Sequence, residues 1–311
     1  MYYPYLRGKQ YELLMLRENA EFIKTNNIHP IIEPVKEKFA SIKRALAVLN
    51  KMKVEYVLVA NPQVGDLEGN SHIVLSILYE EFLKENDHIH IGFIINANTR
   101  ERDIEIFLKN YKDNNISLIH YGFTKGKALA EMIVKHSNVK EHIFIEKYSG
   151  KLYRMRLKDS NINKILIRDG FRKQMTNKDY PESEHFSDLH ATFTEESVNG
   201  FGDFIIVGDQ YFDGGGKMYT LAIHITYIED DDMFIYHFIS GSDQFEKQEG
   251  KFITAINKLH TKLSPPNSNV YMSKACMKFM ELRNQGHYPG LGTIKKLSMQ
   301  HHIELIADFL K

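Results

Sequence analysis

Apolar and polar positions along the chain fall into alternating short runs and spaced faces, a rhythm that begins at once and holds for about two thirds of the sequence. After Met1, YYPYL alternates as a short strand, and a helical face follows over 10–24 through Leu13, Leu14, Leu16, Phe22 and Ile23. IHPIIEPV (28–35) predicts the next strand, and Ile42, Leu46 and Leu49 mark a helix over 39–52. EYVLVANP is a nearly continuous apolar run closed by a turn, the pattern of a strand buried on both faces of a parallel sheet. The unit then repeats through a helix at 72–85, strand IHIGFIINAN, a helix at 101–111, strand ISLIHYG, a helix at 125–136 and strand HIFIEK. KILIRD (164–169) predicts a seventh strand and DFIIVGDQ (203–210) an eighth, with one helix near 185–196 between them.

The rhythm then changes. MYTLAIHITYI and MFIYHFIS alternate on either side of Glu229, Asp230, Asp231 and Asp232, which predicts an antiparallel hairpin with an acidic tip. Helices at 251–262, 271–283 and 293–310 follow, separated by PPNS and HYPGLG.

Eight strands alternating with helices in about 210 residues favour a closed (β/α)8 TIM-barrel-like α/β fold over an open doubly wound sheet. The first turn, RGKQ, offers only Gly8, so the dinucleotide fingerprint of open sheets is missing. The expected division is a barrel over 1–212, with a long atypical segment at 171–202 near its mouth, and a hairpin with a helical extension over 213–311.

Composition narrows the setting. Lys plus Arg and Asp plus Glu both number 40, so no global field draws the chain to nucleic acid or to an anionic membrane. Cys276 is the single cysteine, which excludes an intramolecular disulfide and a thiolate metal cluster and fits a reducing compartment. The amino-terminal residues lack a signal-peptide pattern, and no run approaches the roughly 20 apolar residues of a membrane helix. A cytoplasmic protein is expected.

A barrel carries its chemistry at the carboxyl ends of its strands. In order, those ends present Arg7 and Lys9, Glu33 and Lys36, Asn61, Asn96 and Asn98, His120, Glu146 and Lys147, Arg168 and Asp169, and Asp209. Arginines and lysines facing carboxylates suit an anionic, phosphorylated or carboxylated ligand, with Glu33 and Asp169 as acid and base, Arg7, Lys9 and Arg168 as anion clamps, and Lys36 and Asn61 as further ligand-binding candidates. The alternative is a ring of salt bridges bracing the mouth.

A second set, Asp188, His190, Asp203, Asp209, His224 and His237, has ligand types that suit a divalent metal but no tight spacing, so metal is the lesser reading and no cofactor is identified. GFGDF (200–204) reads as a structural turn, DGGGK (213–217) as a flexible connection, and Cys276 as a buried thiol. His224 and His237 read as packed members of the hairpin. No basic and aromatic stripe is laid out for stacking bases, so direct nucleic-acid binding is not indicated.

YYPYLRGKQYELLMLRE with IHPIIEPVK, then RKQMTNKDYPESEHFSDLHATFTEESVNGFGDFIIVG with LAIHITY and HFISGSD, resemble a bacterial family that is similar in its opening and strand pattern to the phage "beta protein" family. The positions matching that family's polar motif are Asn177, Asp179, Tyr180, Ser187, Asp188, His190, Asp203, His224 and His237. Its aspartate soon after the HFIS stretch has no equivalent at Gly241, Asp243 coming later. The resemblance implies a prokaryotic, two-component role in a defence or mobile-element system, beside a smaller nuclease-like protein partner. Asn177 and Asp179 join the ligand-binding candidates, and His190 and Asp203 the catalytic ones. A stand-alone hydrolase or phosphodiesterase and a non-catalytic, immunity-like protein are the competing expectations.

Overall fold

The computed structural model describes residues 1–311 except 85, 158–160, 214–218, 244 and 265–267, and the side chain of residue 71. The glycine-rich connection at 214–217 and the Pro-Pro punctuation at 265–267 therefore lie outside the described residues.

Two compact units divide the chain: 1–168 with 192–204, and 169–191 with 205–311. The first is a closed, all-parallel barrel. Its strands, in order around the ring, are β1 (Tyr2–Leu6), β2 (Ile31–Ile32), β3 (Tyr56–Val59), β4 (Ile89–Asn96), β5 (Asn115–Tyr121), β6 (Val139–Ile145), β7 (Asn163–Ile167) and β9 (Gly200–Asp203), with β9 pairing back to β1. The helices between them are α1 (Gln10–Glu18), α2 (Ala20–Thr25), α3 (Ala40–Lys51), α4 (Ser71–Leu78), α5 (Glu101–Asn110), α6 (Gly126–Ile133) and α7 (Lys151–Met155). The TIM-barrel-like expectation is met.

Period-two alternation fills the barrel. Tyr3, Tyr5, Ile31, Val57, Val59, Ile94, Ile119, Ile143, Ile145, Ile165, Ile167 and Phe204 form one buried cluster. β1 is buried along its whole length, as a strand covered on both faces must be.

The last barrel strand corrects the expectation. GFGD is not a turn preceding a strand at 203–210; it is the strand. A Cβ on Gly202 would stand 1.9 Å from the Tyr3 carbonyl oxygen and one on Gly200 3.0 Å from the Tyr3 ring. The glycines leave the space that Tyr3 of β1, by its ring and its backbone, occupies. The chain leaves extended structure just beyond, where Ile205 takes φ 52, a left-handed conformation that a β-branched residue rarely adopts.

Two further elements are shorter than their apolar patterns predict. The helix expected over 10–24 breaks at Asn19, whose side-chain amide donates to the Met15 carbonyl at 2.9 Å and competes with the helical ladder. β2 keeps two residues because Pro30 and Pro34 flank it and carry no N–H.

The second unit is a three-stranded antiparallel sheet in the order β10 (Ala222–Glu229), β11 (Asp232–Ile239), β8 (Ser183–Ser187), with helices α9 (Gln248–Leu263), α10 (Lys274–Asn284) and α11 (Leu291–Phe309). Residues 185–187, expected to begin a helix, are strand; helix α8 is only Leu189–Thr192. Pairing of β8 with β11 assigns 169–191 to the hairpin's unit rather than to the barrel, so the division at 212 is replaced by an exchange of segments. Leu221, Ile223, Ile225, Tyr227, Tyr236 and Phe238 pack against Phe252, Ile256, Leu259, Phe279 and Ile294 of the helices. At the hairpin tip, Asp230 and Asp231 both take positive φ, as a two-residue turn matching strand twist requires.

Candidate functional site

At the carboxyl end of β1, Arg7 is buried and forms an ion pair with Glu33, which follows β2 and is fully buried. The guanidinium lies 5.0 Å from the Tyr5 ring centroid and 5.4 Å from that of Phe204. Glu33 also accepts from the Tyr5 hydroxyl at 2.9 Å and from the Gln63 backbone N–H at 2.8 Å. Burial first, and then the Glu33 charge, hold the Tyr5 hydroxyl far above its ordinary pKa, so it remains a donor. Each carboxylate oxygen of Glu33 is engaged, which describes a brace rather than a free base.

The brace continues around the ring. Gln63 donates from its side chain to the Asn61 carbonyl and accepts from Asn96 Nδ2, both at 2.7 Å. Asn61 grips the Ile94 backbone, accepting from its N–H and donating to its carbonyl, each at 2.8 Å. Arg168 makes a two-pronged contact with Glu146, at 2.6 and 3.0 Å, and Tyr121 packs on Tyr148 with centroids 4.3 Å apart. Arg7 and Arg168, expected as clamps, and Asn61, a strand-end candidate for ligand binding, are thus built into the architecture of the mouth.

Beside this brace, the loops after β1 and β2 enclose a cleft of about 370 Å³. Gly8 lets them meet: its φ is 60 and a Cβ there would stand 2.9 Å from the Glu33 carbonyl oxygen. Gln10 and Leu13 of α1 line one wall, and Lys36, Lys38, Ser41 and Ile42 another. Lys36 is steadied by Asp66 at 3.3 Å, and Lys38 is exposed. The amino end of α1 is closed by Glu12, which accepts from the N–H of Arg7 at 2.7 Å and of Lys9 at 3.4 Å. Lys9 serves there as the N-cap residue. The amino end of α3 has no side-chain cap and no acidic residue in its first turn, so its N–H groups and dipole favour negative charge. Glu37 and Asp66 also line the cleft, so its lining carries both signs of charge.

The remaining candidates lie elsewhere. Asp203 accepts from the Tyr2 hydroxyl at 2.9 Å, on the strand face away from the inward Tyr3 and Tyr5. In the second unit, Asp169 accepts from the N–H of Phe171 at 3.1 Å and of Asp209 at 2.9 Å, fastening the start of the segment after 204. Asn177 donates to the Thr220 carbonyl at 2.8 Å, and Asp179 accepts from the Thr176 hydroxyl at 2.8 Å in a capping box. His190 is buried with its ring 4.7 Å from that of Phe309. Among the described residues, no three His, Cys, Asp or Glu side chains are grouped to hold a metal ion.

Sequence reasoning missed Tyr5, Glu12 and Gln63. Tyr5 was legible from alternation, which turns it inward with Tyr3; Glu12, three residues after Lys9, carried the spacing of a capping box. Gln63 carried no signal, since its role depends on the approach of β2.

No helix among the described residues is long and apolar enough to cross a membrane. In comparisons with protein families, curated proteins and solved structures, nothing matches the chain.

Proposed function

We propose that this chain is a cytoplasmic component of a prokaryotic defence or mobile-element system, binding a phosphate-bearing small molecule at its barrel mouth and a protein partner encoded nearby. The system-level half of the reading rests on the family resemblance of the two motif-dense stretches. The ligand half is carried by one observation: the 370 Å³ cleft that joins Lys36, Lys38 and Ser41 to the uncapped amino end of α3. An anion there meets backbone N–H groups and two ammonium groups at once.

Binding is favoured over hydrolysis at this mouth because Glu33 is already committed to Arg7, Tyr5 and Gln63. Calorimetric titration with inorganic pyrophosphate tests the ligand half. Saturable binding that weakens as salt is raised supports it, and no heat at low ionic strength contradicts it. Co-purification with the neighbouring gene's product tests the partner half; a chain recovered alone under mild conditions contradicts it.

A further inference from the structure

His224 of β10 and His237 of β11 are register partners in the hairpin, and their Nδ1 atoms are 2.7 Å apart. One of the two nitrogens must donate. The donor follows from the next link: His237 Nε2 lies 3.2 Å from Glu184 Oε1, and an ionised carboxylate only accepts. His237 therefore carries its proton on Nε2, and a neutral imidazole then presents a lone pair at Nδ1. His224 must donate from its own Nδ1, which leaves a bare lone pair on His224 Nε2.

The chain Glu184, His237, His224 thus has a fixed direction. It begins on a carboxylate and ends on an unprotonated ring nitrogen. The side chain of His237 is fully enclosed, whereas His224 is partly exposed. Both rings are held in place: Tyr180 stacks on His237 with centroids 4.5 Å apart, and Phe171 and Tyr180 stand edge-on to His224 at 5.2 and 4.9 Å. Burial, then the neighbouring His237, then Lys295 keep the His224 imidazole well below its ordinary pKa. It is a neutral base at pH 7. Arg172, with Nη1 3.9 Å from Glu184 Oε2, and Lys295 are the cations whose charge reaches this chain.

We propose that His224 Nε2 is the proton-accepting or nucleophilic atom of a second site, independent of the barrel cleft, acting on electrophilic acyl or phosphoryl groups of anionic compounds. As a base, Nε2 takes a proton from a water or hydroxyl whose oxygen forms the new bond to carbon or phosphorus. The bond to the leaving oxygen breaks with its electron pair, and the proton passes from Nε2 to that oxygen. His237 and Glu184 are positioning residues that fix the tautomer and spread the transient positive charge, the role a carboxylate plays behind a catalytic imidazole.

Diethyl pyrocarbonate is the probe, because the attacking imidazole nitrogen takes its ethoxycarbonyl group and releases ethanol and carbon dioxide. Peptide mass spectrometry of the full chain at pH 7 is expected to show His224 labelled faster than the buried His301 and His302, which are fully enclosed. Glu184→Gln and His237→Asn are expected to slow labelling of His224 by about tenfold, the scale of a lost outer-shell partner, while exposed His72 reacts unchanged. An unlabelled His224 in the wild-type chain overturns the proposal. So does a His224 rate that is the same in wild type and in either variant, since exposure alone would then explain it.

Discussion

Two carboxylates in this molecule, the buried Glu33 and the half-buried Glu184, are treated in opposite ways. In the barrel, Glu33 receives a guanidinium, a hydroxyl and a backbone N–H, and nothing on it remains to face a ligand. In the second unit, Glu184 passes its influence through His237 to His224, and that chain ends on an atom able to react. A closed network holds the fold; an open one can do chemistry. Polar residue types alone do not distinguish the two, because both are built from charged groups at strand ends and within alternating strands.

The comparison is broken most forcefully at Arg7. Arg7→Leu leaves Glu33 buried without its counter-charge, and a buried charge that loses its partner costs about 3–5 kcal/mol. Urea denaturation is expected to show that loss. A change below about 1 kcal/mol, the size of a surface pair, would mean that the closed network is not structural.

A pH titration of stability sharpens the other side. Burial pushes the His237 imidazole down to about 4 from its ordinary 6.5. Between those values the unfolded chain binds a proton that the folded chain refuses, so stability rises with pH through this window and is lost as pH falls from about 6.5 toward 4. The contribution of His237 is about 3 kcal/mol at most. His237→Asn should remove that part of the slope in a thermal melt series. Glu141, inside the barrel, works in the same sense but in a more acidic window. Burial pushes its carboxyl up, but hydrogen bonds from His90, Ser117 and Tyr3 more than reverse this, and its pKa is lowered. Its stabilisation is present above about 4.5 and fades only in stronger acid, as its folded pKa is crossed. An unchanged melt slope in His237→Asn between pH 6.5 and 4 would contradict the assignment of a neutral, buried relay.

The barrel was legible because its signal is redundant. Seven of the eight strands were recognisable as apolar or alternating runs near their observed places, and the alternation through Tyr3 and Tyr5 identified the inward face. The final strand was misplaced because FIIV is more apolar than GFGD, yet only the glycines fit against Tyr3. Local hydrophobicity was overruled by a steric demand arising from the first strand, roughly two hundred residues earlier. β8 was misread for a related reason: Ser183–Ser187 has little strand character until β11 offers it an edge.

The site was less legible than the fold. Arg7 and Glu33 directly follow β1 and β2, but a sequence does not tell whether a buried acid will be answered by neighbours. Asp169 turned out to secure backbone N–H groups, and Asp203 a tyrosine hydroxyl. The histidine pair was read as packing because the approach of Glu184 from a third strand depends on pairing that no short pattern announces.

The smallest perturbation bears on the main proposal. Lys38 is exposed and borders the cleft, so Lys38→Glu should leave the melting temperature unchanged while opposing any anion at the α3 amino end. Repeating the pyrophosphate titration on this variant is the most direct test of the barrel cleft as an anion site. Loss of about tenfold or more in affinity, corresponding to roughly 1.4 kcal/mol, is the predicted result. Wild-type affinity in a folded Lys38→Glu chain would contradict it.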